Sequence, residues 1–311
     1  AESFDVCYVH MTPTGELAAR GRLLGQSEGR YLAESVVVDS EAGSIDGVSV
    51  DGMRWLLGDP ELSLWRAPTE NDGVKVGWTA PGFGAYSRWL AWGLDRIEVT
   101  DREAAVRLRD EDAVVVSTNR RLVTGGGQEI AHDRVVTIGA DRSLVFDETV
   151  RVPEHVNDLP RVGMSFRLAP HLGSIEWFGP GPHETYPDRR SSAVVGRWRS
   201  TVAEQFVPYV VPQEHGGHVG TRWVRFGSPG GTRLAVSGHT PFSFTASHLT
   251  ARDLTEATTT AQLHRRPEVS VHIDHLVRGV GTASCGPDTL PQYLVGGGVH
   301  RWRWTMALVT R

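Results

Sequence analysis

The sequence predicts an all-β protein built on two large, facing antiparallel sheets. Strand-length runs of apolar or alternating residues recur along the chain. Between them, 35 glycines and 17 prolines are spread rather than clustered. No long stretch repeats apolar residues at the helical period. From Arg30 to Arg311 the strand rhythm does not break, and a stretch of that length is large for one simple sandwich.

The clearest strand candidates are residues 34–38, 112–117, 134–138, 143–146, 163–168 and 233–237, all rich in β-branched or aromatic residues. Turn chemistry bounds them, as at Asp46-Gly47, Asp51-Gly52, Gly125-Gly126-Gly127 and Pro229-Gly230-Gly231. The best helical candidate is a turn or two at residues 202–206. Residues 1–29 are polar and glycine-punctuated and read as an N-terminal strand plus linker; residues 30–311 read as one domain. The chain begins with Ala1 rather than Met, so the natural N-terminus is expected to be missing.

Composition excludes several classes of function. A net charge of −5, from 32 basic and 37 acidic residues, lacks the basic footprint of a nucleic-acid binder. No apolar run approaches the ~20 residues of a membrane helix. No secretory signal pattern is visible. Cys7 and Cys285 make neither a disulfide framework nor a zinc site by themselves, which points to a reducing, cytoplasmic setting.

Polar and aromatic residues gather in four clusters. The first is Leu64-Trp65-Arg66-Ala67-Pro68-Thr69-Glu70-Asn71-Asp72-Gly73. There, Arg66 with Glu70 or Asp72 either clamps a hydroxylated ligand or pairs internally across a capped turn. The second is Trp177-Phe178-Gly179-Pro180-Gly181-Pro182-His183-Glu184-Thr185-Tyr186-Pro187-Asp188-Arg189-Arg190. His183 and Glu184 are an acid–base candidate pair, and Trp177, Phe178 and Tyr186 are candidates for stacking on a sugar. The alternative is a rigid turn with Asp188-Arg189 as its internal ion pair. The third runs from Tyr209 through Gln213-Glu214-His215 to His218 and Arg222-Trp223, and the fourth from His272-Ile273-Asp274-His275 to Ser284-Cys285-Gly286-Pro287. Glu214, His215 and His218, and His272, Asp274 and His275, are metal-ligand types, but strand spacing puts His272 and Asp274 on one face and His275 on the other. Ordinary hydrogen-bonded histidines are the expectation.

The first cluster closely resembles the Arg-Ala-Pro-x-(Asp/Glu)-Asn-Asp signature of the C-terminal domain of family 2 β-galactosidases. Gly179 through Arg189 is similar to that domain's Gly-x-Gly-Pro-x-Glu-x-Tyr-Pro-Asp-Arg signature. The stretches Tyr209–Glu214, Gly220–Arg222, Gly279–Gly281 and Ser284–Pro287 follow in the same order. The resemblance covers residues 29–311 and implies an antiparallel super-sandwich of the galactose mutarotase-like type. It also implies a role in hydrolysing terminal β-galactosides such as lactose, with the catalytic glutamates and the magnesium and sodium sites on a barrel that this chain lacks. No catalytic residue, metal or cofactor is expected within this segment. The implied partners are a galactoside, a barrel domain or large subunit, and further subunits of an oligomer, with no nucleic acid or membrane.

The resemblance also implies two contributions to the active-site rim. One is the loop at about residues 73–78. The other is an aromatic platform at the position of Cys285, where some relatives have Trp and this chain has far less stacking area. The rim candidates are therefore Arg66, Asn71, Asp72, Gly73, Trp78 and Cys285, with Trp78 or Tyr86 as alternative platforms. The motif residues His183, Glu184, Tyr186, Asp188, Arg189, Glu214 and Arg222 are expected to be mainly structural. Two other functions remain open: an aldose 1-epimerase, needing a glutamate base and a histidine acid across one cleft, and a carbohydrate-binding module, marked by exposed coplanar aromatics.

Overall fold

The computed structural model describes residues 8–11, 16–20, 35–39, 42–50, 52–73, 84–109, 113–139, 143–227, 231–281 and 288–310. Every strand pairing among them is antiparallel, and the pairings divide into two sheets. The first runs, in spatial order, Ile97–Arg109, Ala113–Thr124, Glu129–Gly139, Leu144–Val152, Gly298–Thr310, the first half of Thr232–Ser247, His218–Phe226, Ser174–Gly181 and Val194–Thr201. The second runs Tyr8–Met11, Glu16–Arg20, Ser35–Asp39, Ser44–Val50, then Met53–Leu56 with Glu61–Ser63, then Arg161–Leu168, Val269–Val277 and the end of Thr232–Ser247. The 16-residue strand Thr232–Ser247 belongs to both: residues 232–238 pair with Gly298–Thr310, and residues 243–247 pair with Val269–Val277.

Period-two patterning turns one face of each strand inward. Val114, Val116, Val136, Phe146, Val224, Leu234 and Trp304 from the first sheet meet Ile45, Val48, Leu56, Met164, Phe166, Val271 and Ile273 from the second in one core. Trp304 ties the layers together. Its ring stacks on Phe146 at 4.0 Å and lies 5.9 Å from Phe166 of the opposite sheet. The expected all-β, two-sheet antiparallel architecture is the one observed.

Two helices depart from the sequence expectation. Gly84–Ala91 buries Ala85 and Trp89, four residues apart, on a second apolar cluster with Leu64, Leu122, Val150 and Val162. Ala251–Glu256 is capped by Thr250, whose hydroxyl accepts from the Asp253 N–H while the Asp253 carboxylate reaches back to the Thr250 N–H. The expected turn at 202–206 is a short 3₁₀ segment, Ala203–Gln205. Among the described residues no helix is long and apolar enough to cross a membrane.

Candidate functional site

The four polar clusters, far apart in sequence, meet at one end of the sandwich. They line a half-open cavity of about 210 Å³. Thr69, Glu70 and Asn71 come from the first, Tyr186 and Arg189 from the second, Tyr209, Gln213 and Glu214 from the third, and Val280 and Gly281 from the fourth.

Behind the cavity lies a buried ion network centred on Asp72. The 3₁₀ turn Glu70–Asp72 brings this carboxylate back onto the Thr69 N–H (2.8 Å) and hydroxyl (2.9 Å). Arg66 Nη2 donates to both Asp72 oxygens at 2.9 Å, and Arg278 Nη1 donates to Oδ1 at 2.9 Å. Arg66 also donates to the Arg278 carbonyl at 2.7 Å, and Arg278 Nε to Asp158 at 2.6 Å. The side chains of Arg66, Asp72 and Arg278 are 0% exposed. Both guanidiniums lie near the Trp89 ring, at 5.4 and 5.7 Å from its centroid, and Trp89 Nε1 donates to the Asp158 carbonyl at 2.7 Å. Buried charges persist only when paired in this way.

A second set of contacts stitches the loops together. The Glu184 carboxylate accepts from the Tyr209 hydroxyl and the Gly216 N–H, each at 2.7 Å, and from Arg189. Asp188 accepts from the N–H groups of Val280 (3.0 Å) and Gly281 (2.7 Å), and Asn71 donates to the Val280 carbonyl at 2.9 Å. Gly281 has φ +81, and a Cβ there would come within 2.7 Å of the Asn71 amide, so glycine is required by both conformation and space. Tyr186 is buried, and its oxygen accepts from the Gly217 N–H at 3.3 Å. Burial, reinforced by the nearby charges of Glu214 and Glu184, pushes its hydroxyl well above the usual tyrosine range.

The third group sits under the cavity wall. Arg161 Nη2 donates to Glu214 Oε1 at 2.8 Å, and Arg161 Nη1 lies 3.5 Å from Asp274. Asp274 Oδ1 has no hydrogen-bond partner. Burial raises the Asp274 carboxyl to about 7 and the Glu214 charge adds to this, against the opposing pull of Arg161 and Arg66. Burial and the Arg161 charge push His272 well below the usual histidine range.

Several expected roles are corrected by this geometry. Arg66 pairs with Asp72, not Glu70. Arg189 pairs with Glu184 rather than Asp188, which instead caps backbone N–H groups. Trp177 is buried in the core against His218, so it is not a sugar platform. His183 turns outward to the Ser192 hydroxyl at 2.9 Å and does not face Glu184. His215 Nδ1 contacts the Gln213 carbonyl at 2.8 Å, and His218 Nε2 contacts Gln205 at 2.6 Å, so neither converges with Glu214. Among the described residues no group of three or more His, Cys, Asp or Glu side chains is placed to hold a metal. Gly73 is buried at the end of the 3₁₀ turn, Arg222 is exposed, and Tyr86 packs obliquely on Trp65 at 6.2 Å. Trp78 and Cys285 lie outside the described residues. The residues missed from sequence are Arg278, Asp158 and Arg161. Arginines flanked by apolar strand residues, as in Pro160-Arg161-Val162-Gly163-Met164, were the available signal.

Comparison with known proteins agrees with the motif pattern. The chain is 31% identical over 274 residues to a β-galactosidase of Klebsiella pneumoniae, covering 87% of this chain and 25% of that protein. It is 29% identical over 261 residues to a β-galactosidase of Actinobacillus pleuropneumoniae, covering 83% of this chain and 24% of that protein. The chain thus spans about a quarter of the length of the curated relatives it matches. Among solved structures, a putative aldose 1-epimerase of Escherichia coli K12 superposes with a TM-score of 0.44 at 12% identity, over 90% of this chain and 97% of that one. A galactose 1-epimerase of Lactobacillus acidophilus NCFM gives 0.43 at 9%, over 94% and 98%. Likeness at that level says nothing about activity. The family described as Beta galactosidase small chain matches residues 32–308, and the chain belongs to that family.

Proposed function

We propose that this chain, with residues 30–311 as its working unit, is the part of a β-galactosidase that shapes the rim of the sugar site. In this reading it also contributes to carbohydrate binding and assembly, and the two catalytic glutamates stand on a barrel outside it. The substrates are terminal β-D-galactosides of the lactose type. The observation that carries the reading is the match to β-galactosidases over only a quarter of their length. The working enzyme is a cytoplasmic oligomer. Its magnesium and sodium belong to the barrel, and this segment supplies no cofactor site.

The site geometry supports the division of labour. A retaining glycosidase needs two carboxyl groups ~5–5.5 Å apart and available to the substrate. Here Asp72, Glu184, Asp188 and Glu214 are each committed to arginines or backbone N–H groups. Such carboxylates hold loops rather than move protons. The loops they hold matter, because these contacts tie down the chain just before each of the two rim segments, Asn71 ahead of about 73–78 and Val280-Gly281 ahead of 285. Glu70, Asn71, Arg189 and Tyr209 at the cavity offer donors and acceptors suited to hydroxyl groups.

An epimerase would need a glutamate and a histidine facing one sugar, and His183, His215 and His218 all point to other partners. Mutarotation of freshly dissolved α-galactose, followed by polarimetry at low buffer catalysis, is expected to run at the buffer rate when the purified chain is added. Acceleration that disappears in a Glu184→Gln or His215→Ala variant would overturn the reading.

A further inference from the structure

The outer face of the first sheet, away from the cavity, carries an arginine–aromatic lattice that the rim role does not use. Strand register lays it out in two rows. In one, Arg199 is opposite Glu176, which is opposite Arg225, which is opposite Ala235, then Ala307. In the next, Arg197 is opposite Phe178, then Trp223, Ser237 and Thr305. Glu176 is the sole carboxylate of this lattice. It accepts from Arg197 and Arg233 at 2.6 Å each and from Arg199 at 2.8 Å, with Arg225 at 3.8 Å. Burial alone would raise its pKa, but the hydrogen bonds from Arg197, Arg199 and Arg233 outweigh this and hold it at about 2. Four guanidiniums therefore share one fixed negative charge.

Two of the four arginines are open to solvent, while Arg233 is buried and Arg225 is 23% exposed. Arg197 is 51% and Arg199 64% exposed. Arg225 lies over the Trp223 ring at 4.4 Å, and Trp223 stacks beside Phe178 with the rings 26° apart. Beyond Trp223 the face drops to the small side chains Ala235, Ser237, Thr305 and Ala307. These lie on two neighbouring strands and form a strip of small side chains about 10 Å across.

We propose that this arginine–aromatic face binds an acidic polysaccharide, a glycan chain bearing carboxylate or sulfate groups, at a surface separate from the cavity where the four motifs meet. The arginines receive the anionic groups in charge-assisted pairs. Trp223 and Phe178 give apolar contact to a sugar ring. Arginine and aromatic residues are also enriched at protein interfaces, but four guanidiniums against the single Glu176 carboxylate favour a polyanion, and poly-glutamate is the polypeptide control in the test below. Arg225 is itself crowded, since burial and the neighbouring Arg233 and Arg197 charges lower its pKa, so an added anion relieves repulsion already present. The chain's overall charge of −5 does not prevent this, because charges beyond about 10 Å are screened at ordinary salt.

The test is affinity electrophoresis of the full chain in gels containing polygalacturonate, a sulfated galactan, a neutral galactan or poly-glutamate. Retardation by either acidic glycan, weakened by salt and at least tenfold weaker in an Arg197→Ala/Arg199→Ala variant, is the expected result. Polygalacturonate and the sulfated galactan distinguish carboxylate from sulfate as the recognised group. Both arginines are exposed, so the variant is expected to fold, and its circular dichroism and Tm check this. The proposal is overturned by no retardation, by equal retardation in neutral galactan, by poly-glutamate binding as tightly as the glycans, or by a folded double variant that binds unchanged. None of these readouts involves hydrolysis, so failure here leaves the β-galactosidase reading untouched.

Discussion

Asp72→Ala is expected to destabilise the chain by about 3–5 kcal/mol, because it leaves two fully buried guanidiniums without their shared carboxylate. For a domain of this size the loss corresponds to a fall in Tm on the order of 10 °C. Arg66 would keep only carbonyl acceptors, at 2.7 and 3.0 Å, and the Thr69 N–H and hydroxyl would lose their acceptor. The 3₁₀ turn at Glu70–Asp72 would loosen, and with it the buried Gly73 that follows. Arg88→Ala is the control. Arg88 is 40% exposed at the edge of the same network, so its loss is expected to cost about 1 kcal/mol or less. Thermal melts of both variants check this, and an unchanged Tm for Asp72→Ala would contradict the structural role of the motif.

The second large effect is a pH dependence traced to Asp274. Its carboxyl is raised, chiefly by burial, to about 7 in the fold, against an ordinary value near 4 in the unfolded chain. Between those values the folded state holds a proton that the unfolded state has released. The stability contributed by this group is therefore fully present below about pH 4 and is lost as pH rises through about 7. The loss is on the order of 4 kcal/mol. The groups facing Asp274 are Arg161 from the neighbouring strand, Glu214 from the loop above, and Arg66 more distantly; on its own strand, His272 also lies near Arg161. Asp274→Asn removes the titration, so its stability, measured by urea unfolding, should change less from pH 4 to 8 and exceed that of the parent chain at pH 8. Parallel profiles for the two proteins would contradict this assignment.

Much of the fold was legible because strand periodicity is a short-range signal. Runs such as 134–138 and 163–168 lie inside the observed strands Glu129–Gly139 and Arg161–Leu168. The helix Gly84–Ala91 was not legible. It has two buried positions in eight residues and follows a Pro81-Gly82-Phe83-Gly84 stretch that reads as a turn. The helix Ala251–Glu256 did carry a readable signal, the Thr250-x-x-Asp253 capping box. At the site, the motif residues could be picked out but their partners could not. Which carboxylate meets which arginine is decided by contacts across as many as 206 positions, as between Arg278 and Asp72. The exchange of Asp188 for Glu184 as the partner of Arg189 has the same cause: the loop folds back on Gly216 and Val280, which local spacing does not reveal.

In the function proposed above, the carboxylates of this chain hold loops and the chemistry of hydrolysis lies on a barrel outside it. The most direct test is the initial rate of aryl β-galactoside hydrolysis by three preparations: the purified chain, a barrel-bearing β-galactosidase fragment lacking this domain, and the two together. The expected rates are the buffer rate for the chain at every concentration, a weak rate for the fragment, and a rise when they are mixed. Hydrolysis proportional to the concentration of the chain alone, and abolished in a folded Glu184→Gln or Glu214→Gln variant, would contradict the proposed function. A fragment fully active without this domain would keep the chemistry on the barrel and contradict the rim role proposed for this chain.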